Sequence, residues 1–187
     1  MSKLIGVIVD GPGDYATLKA RFKGIVKVVK TDGPRGHTVT IRQLVAGSRK
    51  QIAMLRDFGC RFVILMPDFE ERRTEYSVFV SELKEEVRNL PFGTAVEVCV
   101  PNRMIENWYL ADTEEISSKR NYIRKGLGQK PYEGTHGKKE LKQLFANGTS
   151  YNEVLHGPEL FSTIRFEVAI ANSSSLDNFL TKLGVTR

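Results

Sequence analysis

The sequence predicts an α/β protein with a central, mostly parallel four-stranded sheet and helices on both faces. Short apolar runs rich in β-branched residues alternate with segments of helical periodicity through residues 1–100. Two of these runs, at 4–9 and 62–67, are almost free of charge, as strands buried on both sides of a parallel sheet usually are. Each of the two ends in an acidic cluster, and ligands bind at that edge of such sheets.

The elements of the first half follow one another as strand, helix, strand. Apolar content predicts strands at 4–9, 25–30, 61–67 and 95–100. Apolar residues at helical spacing, with start and stop signals, predict helices at 14–23, 38–58 and 75–90. Glycine and proline between positions 31 and 37 predict a loop. Strands that alternate with helices imply right-handed crossovers and therefore a parallel sheet.

The second half is predicted to be a mostly helical extension. Helices are expected at 104–111, 138–145, 151–156 and 173–183. The basic, glycine-rich stretch 122–136 is typical of an exposed loop, and 164–170 is ambiguous. We therefore expect a core at 1–112 and an extension at 113–187 that packs on the core, so that the whole forms one compact domain.

Composition narrows the class of protein. The chain has 187 residues, 41% hydrophobic and 27% charged, with a net charge of +6. This charge favours a polyanionic partner such as nucleic acid, although a solvated basic surface explains it equally well. Cys60 and Cys99 are expected to be buried thiols. The chain has neither an apolar run long enough for a membrane span nor a signal peptide, which predicts a cytoplasmic protein without a membrane partner.

The first acidic cluster begins at Asp10, directly after the first predicted strand. Gly11 and Gly13 follow, and glycine permits close approach of the backbone to a ligand. Asp10 is a candidate metal ligand, but it could also be an acidic turn residue. Asp14 is better placed to cap the following helix.

The second acidic cluster follows the third predicted strand. If the extended chain continues past Asp68, its side chain and that of Glu70 point to the same side. Two such carboxylates repel one another unless a cation intervenes, which makes a magnesium-type site plausible. The alternative is a charged solvent loop, which the neighbouring Glu71, Arg72 and Arg73 favour.

Charged residues of the second half supply further candidates. Glu106 lies in an apolar stretch beside Trp108, so it needs a partner such as a base or a metal, and a structural role is as plausible as a functional one. Several basic residues could contact phosphate. The residues are His37, Arg42, Lys130, His136, Lys138, Lys139 and His156. The best of these is the run from His136 to Lys139, because lysines at a helix start suit an anion.

Several segments resemble the Toprim domain of topoisomerases, primases, small RNA-maturing nucleases and overcoming-lysogenisation nucleases. In that family an acid and a glycine follow the first strand, as Asp10 and Gly11 do here, and an acidic pair follows the third strand. The chain resembles in particular a small stand-alone Toprim-like family of uncharacterised bacterial proteins. The shared motifs are Ile-Glu-Asn-Trp-Tyr-Leu-Ala-Asp at 105–112, His-Gly-Pro at 156–158 and Ser-Ser-Ser-Leu at 173–176.

The resemblance implies a Toprim-like, Rossmann-type fold and a site for Mg²⁺ or Mn²⁺. It makes Asp10, Asp68 and Glu106 the expected catalytic residues. It makes Asp10, Asp68 and Glu70 the expected metal ligands. The implied activity is that of a metal-dependent nuclease, or a related phosphoryl-transfer enzyme, on DNA or RNA. His136, Lys138, Lys139 and His156 would hold the nucleic acid, and phage defence with a partner ATPase or other protein is a compatible setting.

Two alternatives stay open. The protein could be a Toprim-like interaction module without activity, because Asp10 replaces a glutamate of the family and reaches about 1.5 Å less far. Glu70 likewise replaces an aspartate. A receiver-like signalling domain is suggested by the run from Met66 to Asp68, but no fifth strand followed by a lysine is predicted, so this reading fits poorly.

Overall fold

The computed structural model describes residues 4–91, 95–146 and 148–185, and it divides the chain into two compact units. The first unit is Met1–Val100 and the second is Pro101–Arg187. The division falls before the boundary at 112 that the sequence predicts. The reason is that the helix Glu106–Leu110 packs against later helices of the second unit. The packing of the extension on the core stays a prediction.

The first unit confirms the predicted α/β class. Its strands are β1 (Ile5–Val9), β2 (Val26–Lys30), β3 (Phe62–Met66) and β4 (Ala95–Val98). Its helices are α1 (Pro12–Arg21), α2 (Ile41–Asp57) and α3 (Tyr76–Arg88). The four strands form one parallel sheet in the order β2-β1-β3-β4, flanked by the helices.

The position of each strand in the sheet explains its composition. β1 and β3 lie in the middle, where Val7 pairs with Val28 on one side and Ile64 on the other. Every residue of these two strands is buried, which is why both are continuous apolar runs. β2 is an edge strand, and its lysines Lys27 and Lys30 are exposed.

Helices α2 and α3 cover one face of this sheet. The core there includes Ile8 and Leu65 of the strands, Leu55 of α2 and Leu83 of α3. A Cβ added at Gly6 would lie 2.8 Å from Leu55 Cδ1, so glycine allows α2 to lie close to β1. The rule of right-handed crossovers places α1 on the opposite face.

Two helix starts show how local chemistry sets the ends. α2 begins with a capping box, in which Thr40 Oγ1 accepts the N–H of Gln43 at 3.2 Å and Gln43 Oε1 accepts that of Thr40 at 3.0 Å. Asp14 is not the N-cap residue that the sequence predicts, because α1 begins earlier, at Pro12, but its side chain still caps the helix from the third position. Asp14 lies inside the first turn, where Oδ2 accepts the N–H of Gly11 at 3.3 Å.

The second unit is helical in its described part, as the sequence predicts. Its helices are α4 (Glu106–Leu110), α5 (Thr113–Lys119), α6 (Gly137–Leu144), α7 (Glu153–Thr163), α8 (Phe166–Asn172) and α9 (Ser174–Leu183). The sequence reading missed α5, and α8 resolves the ambiguous stretch 164–170 as a helix. Trp108 of α4 lies in the centre, with its ring 5.0 Å from that of Phe179 of α9.

Helix α7 corrects the predicted end at 156. It continues through Pro158, whose missing N–H removes one intrahelical hydrogen bond. The continuation is stabilised by packing, because Leu160 and Phe161 are both fully buried and the ring of Phe161 lies 6.1 Å from that of Trp108.

The cysteines and the helix lengths bear on two further predictions. Cys60 and Cys99 are buried and form no disulfide within the part of the chain that the structure describes, as expected of buried thiols. Among the residues placed by the structure, no helix is long and apolar enough to cross a membrane.

Candidate functional site

The candidate site lies at the carboxyl edge of the sheet in the first unit. The chain passes from β1 to its neighbour on one side, and then from β2 to β3 on the other side of β1. Ligands of doubly wound sheets bind at such a point of reversal. Asp10 directly follows β1, and Asp68 follows β3. Because β1 and β3 are neighbours, the fold brings these two acids together, and Asp10 Oδ2 accepts the backbone N–H of Asp68 at 3.0 Å.

Asp10 is a buried carboxylate whose hydrogen-bonding capacity is only partly used by the described residues. Its side chain is 8% exposed, and Oδ1 accepts no hydrogen bond from the residues that the structure describes. The pKa of Asp10 is raised to about 6, chiefly because the side chain is buried and also because the carboxylate of Asp68 lies nearby. The N–H of Asp68 and the guanidinium groups of Arg35 and Arg72 lower this pKa without cancelling the shift. Asp10 is therefore a group that a proton or a cation would stabilise.

The chain turns after β3, contrary to the extended arrangement expected for Asp68 and Glu70. Asp68 Oδ1 accepts the backbone N–H of Glu70 at 2.9 Å, which closes a turn. Phe69, between the two acids, is buried, and its ring lies 5.3 Å from that of Phe79.

This turn changes the predicted set of metal ligands. Within the described chain, Asp10, Asp68 and Glu70 do not offer ligand atoms that all lie within 4.8 Å of one another. Glu70 and Glu71 instead have carboxylate oxygens within 4.8 Å of each other. Asp10 and Asp68 thus form the inner pair of the site, and Glu70 lies with Glu71.

Arg72 joins the two loops that border the acids. Its Nε donates to the carbonyl of Asp68 at 3.3 Å, Nη1 donates to that of Val39 at 2.8 Å, and Nη2 donates to that of Gly36 at 3.1 Å. The guanidinium also lies 4.6 Å from the centre of the Phe79 ring. From the sequence, Arg72 favours a charged loop exposed to solvent. No local signal reveals its role, because two of its partners are far away in the sequence.

Arg35 is a second residue of the site that the sequence reading missed. Its Nη1 donates to the backbone carbonyl of Asp10 at 2.9 Å. The loop that carries Arg35 packs tightly on α2, since a Cβ at Gly33 would lie 2.7 Å from Gly47 Cα. The loop is also joined to β1, because the N–H of Thr31 donates to the carbonyl of Val9 at 2.9 Å.

Glu106 lies in the second unit, at the start of α4. It is 1% exposed, and its Oε1 accepts the hydroxyl of Tyr151 at 2.9 Å. Burial raises the pKa of Tyr151, and the neighbouring Tyr109 and Glu106 act in the same direction. The buried glutamate thus has a partner, which is a tyrosine rather than the expected base or metal. Its predicted place in the catalytic cleft stays a prediction.

The four predicted nucleic-acid-binding residues have different surroundings in the second unit. Lys138 Nζ lies 3.3 Å from Glu153 Oε2 in an ion pair, whereas Lys139 is exposed. His136 is half-buried at the cap of α6. His156 Nδ1 accepts the N–H of Asn152 at 2.9 Å, so this nitrogen is engaged within α7. His136, Lys138 and His156 are therefore half-buried, and Lys139 is the exposed residue of the four.

The sequence analysis also did not predict an ion pair in the second unit, between Asp112 and Arg165. Asp112 is fully buried, and its Oδ2 accepts the N–H of Arg165 at 2.8 Å and its Nε at 2.9 Å. Oδ1 accepts Nη2 of the same arginine at 2.7 Å. Although burial acts to raise the pKa of Asp112, the bonds from Arg165 hold it below its usual value. This carboxylate is satisfied by the protein itself.

Comparison with known proteins places the chain in a family. No curated protein matches the sequence, and no solved structure matches it. A family model described as Domain of unknown function (DUF4276) matches residues 9–184. This span covers nearly the whole chain and includes both acidic clusters and all of the candidate residues. The protein therefore belongs to the DUF4276 family.

Proposed function

We propose that this protein is a divalent-metal-dependent nuclease whose metal site is centred on Asp10 and Asp68. The observation that supports the proposal is the state of Asp10. It is a buried carboxylate with a pKa raised to about 6 and one oxygen without a hydrogen bond from the described residues. Asp68 donates its backbone N–H to Asp10 at the point where the strand order reverses, and its carboxylate is near enough to raise the pKa of Asp10.

The donor set fits Mg²⁺ or Mn²⁺. Both ions prefer hard oxygen ligands, and carboxylates on one or two side chains with water completing the shell are the usual arrangement. Asp10 and Asp68 would hold the ion, and the adjacent acids Glu70 and Glu71 would bind its water ligands. A bound ion would polarise the phosphate and activate water.

The residues at the proposed ion site would have separate roles. The N–H of Asp68 fixes one oxygen of Asp10, which leaves Oδ1 to face the ion or to accept a proton. A carboxylate with a pKa near 6 can exchange a proton close to neutral pH, as a general acid or base must. Arg72 holds the loops in place, since its three nitrogens all donate to backbone carbonyls.

Two further features favour nucleic acid as the substrate. The chain carries a net charge of +6, which attracts a polyanion. The resemblance to Toprim nucleases points to the same class of substrate. Either DNA or RNA is compatible with these features, as are a role in phage defence and a partner ATPase.

A cleavage assay tests the proposal. Purified protein is incubated with plasmid DNA, a single-stranded oligonucleotide and transfer RNA, with Mg²⁺, Mn²⁺ or EDTA. We expect cleavage of at least one substrate with metal, and a loss of about 100-fold or more in Asp68→Asn. Asp57→Asn, which changes an exposed acid at the end of α2, is the control and should cleave normally. Cleavage that is undiminished in Asp68→Asn, or absent from the wild type, contradicts the proposal.

The second candidate function is a Toprim-like interaction module without catalytic activity. It is favoured by the turn at Glu70, which separates this carboxylate from Asp10 and Asp68 as a ligand set. It is also favoured by the short side chain of Asp10. Titration calorimetry separates the candidates, because a module without activity need not bind Mn²⁺, whereas tight binding that depends on Asp68 argues against it.

A further inference from the structure

Two arginines lie close to Asp10, and they differ in how much of their hydrogen-bonding capacity the protein uses. Arg72 is half-buried, and each of its three side-chain nitrogens donates to a backbone carbonyl. Arg35 is exposed, and only its Nη1 has an acceptor, the carbonyl of Asp10 at 2.9 Å. In the described chain, Nε and Nη2 of Arg35 donate to no protein group.

The unused edge of Arg35 is the one that binds oxyanions in two-point fashion. Arg165 uses the same two nitrogens, Nε and Nη2, to bind the carboxylate of Asp112 at 2.9 and 2.7 Å. A phosphate presents oxygens with similar spacing, and arginine binds both groups through parallel N–H bonds. Arg35 therefore offers a phosphate the geometry that Arg165 offers a carboxylate.

The loop that carries Arg35 is also held in place before any ligand arrives. Gly33 packs directly on Gly47 of α2, and the N–H of Gly33 donates to Thr31 Oγ1 at 3.1 Å. The carbonyl of Gly36, next to Arg35, accepts a hydrogen bond from Arg72. A loop fixed on both sides of the arginine reduces the entropy that binding would cost.

We infer that Arg35 is the residue of this site that binds a phosphate group of the nucleic-acid backbone. The inference rests on the proposed function and deepens it, since it assigns a phosphate-binding residue beside the acids. Asp10 and Asp68 are both acidic and would repel a polyanion, and the guanidinium offsets this charge at the backbone of Asp10 itself. Contacts to phosphate carry no base specificity, so the substrate class is nucleic acid of any sequence.

The test measures binding and cleavage in Arg35→Ala, Arg35→Lys and the control Arg56→Ala. Arg56 is exposed near the end of α2 and pairs with Asp57, so its removal changes the net charge equally, away from the carboxyl edge of the sheet. The binding probe is a fluorescent single-stranded oligonucleotide in Ca²⁺, which replaces Mg²⁺ to slow cleavage. Mn²⁺ affinity is measured on the same variants.

We expect Arg35→Ala to weaken oligonucleotide binding about tenfold. The slope of log Kd against log salt should fall by about 0.7, which corresponds to one lost phosphate contact. Arg35→Lys should recover the salt slope but not the full affinity, because lysine lacks the two-point edge. Mn²⁺ affinity and the melting temperature should stay as in the wild type, and the control should resemble the wild type throughout.

Three outcomes overturn the inference. Arg35→Ala could match Arg56→Ala in affinity and salt slope while the wild type cleaves, in which case the nuclease proposal stands and the role of Arg35 is wrong. Arg35→Lys could match the wild type in affinity, which would exclude two-point binding. A wild type that neither binds the oligonucleotide nor cleaves it removes the proposed function and the inference together.

Discussion

Asp10 in the first unit and Asp112 in the second are both buried aspartates, yet they differ in their hydrogen bonds and in the direction of their pKa shifts. Asp112 accepts three hydrogen bonds from Arg165, and these hold its pKa below the usual value against the effect of burial. From the residues that the structure describes, Asp10 accepts one hydrogen bond, which a backbone amide donates, and its pKa is raised to about 6, chiefly by burial. Burial alone does not mark a site. A buried acid with one oxygen that accepts no hydrogen bond from the described residues is the better indicator.

The comparison indicates a structural role for Asp112 and supports the proposed chemical role of Asp10. The hydrogen bonds of Asp112 to Arg165 join the end of α4 to the start of α8, so its charged carboxylate stabilises the fold. Asp10 is energetically unfavourable as a charged group in the isolated protein, and it lies where ligands bind in doubly wound sheets. In the first two predictions below, one aspartate is changed and the other serves as the control.

The largest expected effect is on activity. Asp10→Asn should lower the proposed metal-dependent cleavage by about 100-fold or more, because it removes a charged oxygen from the proposed metal site. Asp112→Asn should keep activity close to the wild type when assayed well below its melting temperature. Comparable losses in both variants would mean that the two acids do not differ in function.

The second effect is on stability, and here the order is reversed. Asp112→Asn replaces an acceptor by an amide donor that faces the N–H groups of Arg165. We expect a loss of about 2–4 kcal/mol in the free energy of unfolding, and a melting temperature lower by roughly 5–10 °C. Thermal unfolding monitored by circular dichroism measures this. Asp10→Asn should show no such loss, and equal melting temperatures for the wild type and Asp112→Asn would contradict the structural role.

The third effect concerns pH. The pKa of Asp10 rises from 3.8 to about 6 in the folded protein, so between these values the folded state holds a proton that the unfolded chain has released. The contribution of Asp10 to the free energy of unfolding in EDTA should therefore fall as pH rises from about 4 to 6, by on the order of 2–3 kcal/mol. Urea unfolding of the wild type and Asp10→Asn across this range isolates the effect. The variant should equal the wild type near pH 4 and exceed it at pH 7, and parallel profiles would exclude the raised pKa.

The smallest effect tests the buried glutamate of the second unit. Tyr151→Phe removes the hydroxyl that donates to Glu106, and it should cost about 1–2 kcal/mol of stability because the bond reaches a buried carboxylate. Tyr122→Phe removes a similar bond to the exposed Glu159 and should cost at most about 0.5 kcal/mol. Chemical unfolding compares the two, and equal costs would mean that the Glu106 contact is not a buried one.

The sequence predicts the first unit well because its pattern is strong. β1 and β3 are buried on both sides, which requires apolar runs, and the capping box of α2 can be read from Thr40 and Gln43. The second unit is harder. The proline at 158 reads as a helix end, but the packing of Phe161 outweighs the single bond it removes.

The candidate site is only partly predictable for a different reason. Asp10 and Asp68 follow apolar strands, and the rules of parallel sheets bring such residues together. The turn that moves Glu70 away depends on a hydrogen bond that no periodicity reports. The parts played by Arg35 and Arg72 depend on backbone carbonyls distant in the sequence, so only the folded chain reveals them.

Calorimetric titration of Mn²⁺ tests the central claim most directly, because it measures whether Asp10 and Asp68 bind a divalent cation. The wild type, Asp10→Asn, Asp68→Asn and Asp112→Asn are titrated at neutral pH. We predict that the wild type and Asp112→Asn bind Mn²⁺ and that Asp10→Asn and Asp68→Asn bind it at least about tenfold more weakly. Wild-type protein that binds no Mn²⁺, or binding that survives intact in both Asp10→Asn and Asp68→Asn, would contradict the account.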